Sequence, residues 1–123
     1  DSPWARTDIA WLHFLKGQYE AMLPVLEPGL AAHPEHPWLL NMYGLALLNT
    51  GEIDAAQEAF ATAQQYAASL TTTDWGNAYP GNDPQDWGRG LQSFQAAIAH
   101  NLELATQARS GQHEAAMAGP NQQ

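Results

Sequence analysis

This 123-residue chain has five histidines, a residue type that binds metals and exchanges protons near neutral pH: His13, His33, His36, His100 and His113. His33 and His36 flank Pro34-Glu35, a spacing similar to a fragment of a metal site. A zinc site needs three or four converging ligands, and this pair lies across a proline. The chain has no Cys, which excludes thiolate ligands, disulfides and cysteine nucleophiles. We therefore predict no metal site at these histidines.

A second cluster of potential ligands, the acids Asp74, Asp83 and Asp86, raises the question of calcium. These acids lack the alternating spacing and the terminal Glu of a calcium-binding helical hand. No serine stands in a nucleophile motif, and the glycines of 76–90 follow no strand, so they form no phosphate-binding loop. We predict no cofactor and no enzymatic activity.

The charge balance limits the class of partner. The formal net charge is −9 and the only cations are Arg6, Lys16, Arg89 and Arg109. Nucleic acids and anionic membranes bind basic surfaces, so neither is expected as a partner, and no apolar run reaches the ~18 residues of a membrane span. The first residue is Asp rather than Met, which predicts a processed or excised chain. The sequence is compatible with a cytoplasmic location and with a periplasmic or secreted one.

Residue types recur 34 positions apart in the first half of the chain. Pro3-Trp4 returns as Pro37-Trp38, and Gly17 returns as Gly51. A period of about 34 residues is typical of arrays built from helix–turn–helix units.

The second copy has the clearer helical pattern. Pro37 suits the first position of a helix, and Gly51 suits the left-handed residue after its end. Apolar residues then follow at helical spacing on both sides of Gly51. The small residues Gly44, Ala56 and Ala63 predict two antiparallel helices in close contact.

This pattern resembles the tetratricopeptide repeat. The residues at the family's positions in the second copy are Leu40, Tyr43, Gly44, Leu47, Gly51, Ala56, Phe60 and Ala63. The closing proline of the family falls at Ala68 and is absent. The first copy is degenerate in its first helix but keeps Gly17 and Pro34. The resemblance implies an all-α fold, a solenoid of two repeats and a partial third.

The predicted organisation is a single domain, with repeat one at 3–36, repeat two at 37–70, an insertion loop at 71–90, a partial third repeat or capping helices at 91–118 and a frayed tail at 119–123. Predicted helices cover 4–15, 18–32, 37–49, 52–69, 88–109 and 112–118, with Gly111 as the third turn glycine. Pro24 and Pro28 predict a kink or break near Leu23, because proline removes a donor and clashes with the preceding turn.

The insertion 71–90 carries Trp75, Tyr79 and Trp87 among turn-forming residues. Pro80-Gly81 predicts a type II turn, and the following helix is predicted to begin as early as Trp87, with Asp86 as its cap. The three aromatic side chains could bind a sugar or a peptide. We favour a packed spacer, because large aromatic residues are more often buried anchors.

The resemblance also implies a concave groove that binds a peptide or protein segment. The side chains at the family's groove positions are Trp4, Thr7, Trp11, Trp38, Asn41, Leu45, Asn49, Asn101 and Arg109. Asn41 and Asn101 fall at the same position of their repeats, where a side-chain amide could form hydrogen bonds with a peptide backbone. The predicted function is a non-catalytic interaction or scaffolding module. The alternatives are a self-associating domain that forms homo-oligomers and a sugar- or small-molecule-binding domain that uses the insertion.

Overall fold

The computed structural model describes residues 2–118, and the side chains of residues 2–112. Six α-helices account for most of this region and no strand occurs in it: α1 (Pro3–Leu15), α2 (Tyr19–Ala32), α3 (Pro37–Asn49), α4 (Ile53–Ala67), α5 (Thr72–Ala78) and α6 (Trp87–Ala118). The all-α prediction is therefore confirmed, and the first four helices lie within about two residues of their predicted bounds.

Helices α1 and α3 begin in the same way. Each has proline as its first residue, where the missing amide proton leaves no hydrogen bond unmade. The Oγ atom of Ser2 accepts from the amide of Trp4 at 3.2 Å, and Nδ1 of His36 accepts from the amide of Leu39 at 3.3 Å. Both caps satisfy an amide that the helix itself leaves unpaired.

The same two helices also end in the same way. Gly17 and Gly51 have φ of +71° and +88°, in the left-handed region that glycine enters without steric cost. The next amide then bonds back across the turn, from Gln18 to the carbonyl of His13 and from Glu52 to the carbonyl of Leu47, each at 2.9 Å. This arrangement is a Schellman motif, and it folds each following helix back on the one before.

Helix α2 is not broken near Leu23. It runs unbroken from Tyr19 to Ala32 with Pro24 and Pro28 inside it, so of the predicted kink or break, the break does not occur. Both prolines lie on the exposed side. There, water can satisfy the carbonyls that lose their amide partners, which lowers the cost of an interior proline.

The core consists of three clusters that share α3. The first joins α1, α2 and α3 through Ala10, Met22, Leu26, Leu39, Met42 and Ala46. The second joins α3, α4 and α6 through Leu47, Ala56, Ala59, Phe60 and Ala105. The third joins the same three helices through Leu40, Ala63, Ala67 and Ile98. Helix α3 is therefore covered on one side by α1 and α2 and on the other by α4 and α6.

Gly44 sets the distance between α3 and α4. The ring of Phe60, which is fully buried, lies over this glycine. A β-carbon at Gly44 would stand 2.5 Å from Cε1 of Phe60, well inside van der Waals contact. The predicted close approach of these helices is therefore present.

The insertion 71–90 is not simply a loop. Its first part is α5, which begins with a capping box: Thr71 accepts from the amide of Asp74, and Asp74 accepts from the amide of Thr71. A single 3₁₀ turn, Pro84–Asp86, precedes α6. Gly81 has φ of +106°, as the Pro80-Gly81 turn prediction requires.

Helix α6 is one continuous helix. It begins at Trp87, as expected, but it runs through Gly111 to Ala118, so the predicted break between 88–109 and 112–118 is wrong. Glycine permits a left-handed turn without imposing one, and it is tolerated inside a helix at a cost of about 1 kcal/mol. The tail predicted at 119–123 lies outside the described residues.

None of the described helices is both long enough and apolar enough to cross a membrane.

Candidate functional site

A concave cleft of about 620 Å³ lies at one end of the helices. Three parts of the chain form it: Trp4 and Trp38 near the starts of α1 and α3, the turn 32–37 that connects α2 to α3, and Asp74 and Asn77 of α5, with Leu70 beside them. We call it the His33–His36 cleft. It brings together two tryptophans of the predicted groove and part of the predicted insertion.

One wall of the cleft is a cluster of three aromatic rings. The ring of Trp4 lies 4.7 Å from that of His36 and 5.0 Å from that of Trp38, and His36 and Trp38 are 5.7 Å apart. The ring planes meet at 58–69°, which is the edge-to-face geometry that aromatic pairs favour. Trp4 is 37% exposed, so it offers the largest open aromatic surface of the three.

Trp38 is held in place from behind. Phe94 of α6 stacks on it at 4.5 Å and 11°, and its indole Nε1 donates to the hydroxyl of Tyr79 at 2.8 Å. Burial raises the pKa of Tyr79, an effect that the hydrogen bond from Trp38 partly offsets. The end of α5 is thereby fixed to the start of α3, and the wall of the cleft is rigid at this point.

His36 is both a wall residue and the cap of α3. Burial, together with the nearby His33, lowers its pKa to about 4, so the ring is neutral at pH 7. A neutral ring is also what the cap requires, because Nδ1 must have a free lone pair to accept from the amide of Leu39. His33 and His36 have ring centroids 6.4 Å apart.

The carboxylates near the cleft differ in their bonding. Asp74 belongs to the capping box of α5, whereas Glu35 is exposed at the rim of the cleft. Of the other two acids considered for calcium, Asp83 accepts from the amide of Gln85, and Asp86 pairs with Arg89. Within the residues described there is no group of three or more His, Asp or Glu side chains that could hold a metal ion.

Trp75 and Trp87 pack reciprocally between α5 and α6. The ring of Trp87 lies over Gly76 of α5, and the ring of Trp75 lies over Gly90 of α6. Both rings are half-buried rather than fully buried, and Tyr79, 38% exposed, packs against Trp75 at 4.7 Å. The predicted loop site is therefore a small aromatic interface between two helices, and only Tyr79 of its three residues reaches the wall of the cleft.

Several predicted groove residues bond within their own helices. The hydroxyl of Thr7 donates to the carbonyl of Trp4 at 2.8 Å, and the side-chain amide of Asn49 donates to the carbonyl of Leu45 at 2.7 Å. Leu45 itself is half-buried between the first two core clusters. These three side chains do not line the His33–His36 cleft.

Trp11 is stacked on Phe14, at 5.3 Å and 15°, and is 47% exposed. Both residues belong to α1, so this pair leaves much of one indole open to solvent. Trp11 lies outside the cleft, and this makes it a useful comparison for Trp4.

The two asparagines expected at one repeat position face each other. Nδ2 of Asn101 donates to Oδ1 of Asn41 at 3.0 Å, which links α6 to α3. Arg109, two turns further along α6, contacts α4 instead: its Nε lies 3.1 Å from Asp54, and its Nη1 donates to Gln57 at 2.7 Å. Asn101 and Arg109 thus contact different helices.

Trp4 and Trp38 are the cleft residues that were predicted for the groove, and Asp74 and His36 are two of those that were not. Asp74 could have been assigned to a helix start from Thr71-Thr-Thr-Asp74, which is a capping-box spacing. His36 stands immediately before Pro37, at the place of a helix cap, but histidine is not among the preferred capping residues. Nothing in the sequence indicates that α5 reaches Trp38.

Comparisons with family models, with curated proteins and with solved structures find no match to this chain.

Proposed function

We propose that this chain is a non-catalytic interaction domain of the tetratricopeptide-like class, which binds a peptide or protein segment. Support for the class comes from the two copies of one backbone pattern. The cap, the initial proline, the left-handed glycine and the bond that crosses the turn recur 34 residues apart, at α1 and again at α3. If a turn had recurred by chance, only one end of the helix would match, whereas here both the start and the end of the helix recur.

The order of helix contacts also supports the class. Helix α1 contacts α2 and α3, while α3 contacts α4 and α6. In a solenoid, the first helix of each unit packs against its own second helix and against the first helix of the next unit. On this interpretation α1, α3 and α6 are successive first helices, and the pair Asn41–Asn101 links the last two.

The single observation that carries the binding function is the His33–His36 cleft. Its volume, about 620 Å³, lies within the range of about 300–1,000 Å³ of sites that bind small ligands. Trp4 and Trp38, at the same position of the two repeats, both line it. Exposed tryptophan beside a preformed concavity is a common anchor in protein interfaces.

Two tryptophans of α1 provide the test. A peptide library is screened against the chain, and the selected peptides are titrated into Trp4→Ala and Trp11→Ala variants. Because Trp4 lines the cleft and Trp11 does not, we expect the first substitution to weaken binding about 10-fold or more and the second to leave it within about 2-fold. Equal effects of the two substitutions, or no selected peptide, would contradict the proposed function.

Self-association is a second candidate, and the outer face of α1 favours it. Besides Trp4 at the cleft, four large apolar side chains of this helix are open to solvent: Ile9, Trp11, Leu12 and Leu15. Only Ala10 is fully buried in α1. Sedimentation of the chain over a range of concentrations tests this candidate, with Leu12→Glu as the variant that should abolish any dimer. A monomer at every concentration would exclude it.

The third alternative, sugar binding through Trp75, Tyr79 and Trp87, has less support. Trp75 and Trp87 rest on glycines of the facing helices, so their packing between α5 and α6 accounts for them.

A further inference from the structure

The His33–His36 cleft has an electrostatic bias. Two carboxylates line it, those of Glu35 and Asp74, and its lining includes no Lys or Arg. His36 does not offset them, because its pKa of about 4 leaves the ring neutral at pH 7. The chain as a whole has a formal net charge of −9. A positively charged group is therefore attracted to this cleft, both locally and by the field of the whole protein.

The aromatic wall makes the preference more specific. The faces of tryptophan rings attract cations, and the guanidinium of arginine, which is planar, stacks on them better than the ammonium of lysine does. Trp4 has 37% of its surface open and stands edge-to-face with Trp38, so its position is defined before any ligand arrives. Glu35 is exposed at the same cleft and forms no salt bridge with the described side chains.

We propose that the His33–His36 cleft binds an arginine side chain of a basic peptide, with its guanidinium stacked on Trp4 and paired with the carboxylate of Glu35. The inference rests on the proposed function and narrows it to one class of partner. Asp74 of α5 adds a second negative charge to the cleft, but its Oδ2 already accepts a hydrogen bond from the amide of Thr71. Glu35 is therefore the better partner for two parallel hydrogen bonds from the guanidinium.

Three short peptides, identical except for a central arginine, lysine or citrulline, test the inference by calorimetric titration. Citrulline keeps the shape of arginine but has no charge. We expect the arginine peptide to bind about 10-fold more tightly than the citrulline peptide, with lysine between them. Argininamide is titrated as well, to test whether the rest of the peptide contributes to binding. If argininamide binds as tightly as the arginine peptide, the cleft recognises a free guanidinium compound, and the proposal of a peptide ligand is wrong.

Matched variants locate the binding. Glu35→Gln removes one carboxylate of the cleft, and Glu52→Gln removes another exposed carboxylate, at the start of α4 and outside the cleft. We expect the first variant to weaken the arginine peptide about 3-fold and the second to change it by less than about 1.5-fold, as for partly exposed ion pairs. Circular dichroism of both variants verifies that the fold is intact.

Two results of these titrations would overturn the inference. Equal affinity for arginine and citrulline would show that charge is not recognised, and equal losses in Glu35→Gln and Glu52→Gln would show only a general effect of net charge. Selected peptides that lack arginine but still depend on Trp4 would leave the proposed function in place while this inference failed. If no peptide in the library binds, both fail together.

Discussion

Replacement of Gly44 by alanine tests the packing on which the whole helical array depends. The new β-carbon would lie 2.5, 2.6 and 2.8 Å from three ring carbons of Phe60. Ordinary contact between carbons is about 3.5–4.0 Å, so the ring or the helix would have to move by roughly 1 Å. The ring of Phe60 is fully buried in the cluster between α3, α4 and α6, so it cannot turn out into solvent without leaving the core.

The expected loss of stability is the difference between two effects. Overpacking of a filled core typically costs about 1–3 kcal/mol. Alanine returns up to about 1 kcal/mol, because it is the better helix former. We therefore expect Gly44→Ala to lower the free energy of unfolding by about 1–2 kcal/mol, which corresponds to a fall of roughly 4–8 °C in Tm for a domain of this size.

A double-mutant cycle in urea, followed by circular dichroism, separates this clash from other effects. Phe60→Leu removes the ring that meets the new methyl group. In the Phe60→Leu background, Gly44→Ala should cost nothing or stabilise slightly, which gives a coupling energy of about 1 kcal/mol or more. Two results would refute the reasoning: Gly44→Ala as stable as the parent, or an equal cost of the substitution in both backgrounds.

Three further predictions concern a turn, a cap and the aromatic interface. Gly51→Ala should lower the free energy of unfolding by about 1–2 kcal/mol, because φ at Gly51 is +88°. Gly111→Ala should raise it by up to about 1 kcal/mol, because Gly111 lies inside α6. If urea denaturation shows that both substitutions stabilise or that both destabilise, the backbone conformation at one of the two glycines is wrong. The pKa of His36 is lowered from 6.5 to about 4 on folding, so its stabilising contribution is complete above pH 6.5 and is lost as the pH falls towards 4. We expect a loss of about 1–2 kcal/mol over that window after allowance for solvent screening, and His36→Asn, which keeps a capping acceptor but cannot be protonated, should flatten the slope. Trp75→Ala should cost about 1–3 kcal/mol, because the half-buried ring covers Gly90; a variant as stable as the parent would show that α5 is not held to α6 in this way.

The parts of the fold that could be predicted from sequence are those fixed by local chemistry. Helices α1 to α4 have periodic apolar residues, and proline and glycine mark the bounds of α1 and α3. The contact between Gly44 and Phe60 follows from small and large residues at facing positions of two adjacent helices. Gly51 could be predicted to end a helix, because a helix with a proline start precedes it and a new apolar pattern follows it.

The errors arise where one residue type allows two outcomes. Gly111 was expected to end a helix as Gly51 does, but the backbone stays helical through it to Ala118. Gly76 and its neighbours suggested a loop, whereas Gly76 is in α5 because the ring of Trp87 lies over it. Pro24 and Pro28 suggested a break, but both face solvent.

The His33–His36 cleft could not be predicted for a different reason. Its walls come from residue 4, from residues 32–38 and from residues 70–77, which are brought together by the packing of α5 on α6 and by the hydrogen bond from Trp38 to Tyr79. The resemblance identified Trp4 and Trp38 as groove residues, but not the cleft that joins them. It also did not predict that Arg109 would pair with Asp54 of α4.

The indole N–H signals of the five tryptophans provide the most direct measurement of binding at the cleft. Each can be assigned in a ¹H–¹⁵N spectrum by one substitution, and the spectrum is then followed while the arginine peptide is added. We predict that the signals of Trp4 and Trp38 shift and that the signal of Trp11 does not. Shifts confined to Trp11, or to Trp75 and Trp87, would place binding on α1 or on the insertion and would contradict a binding site at the His33–His36 cleft.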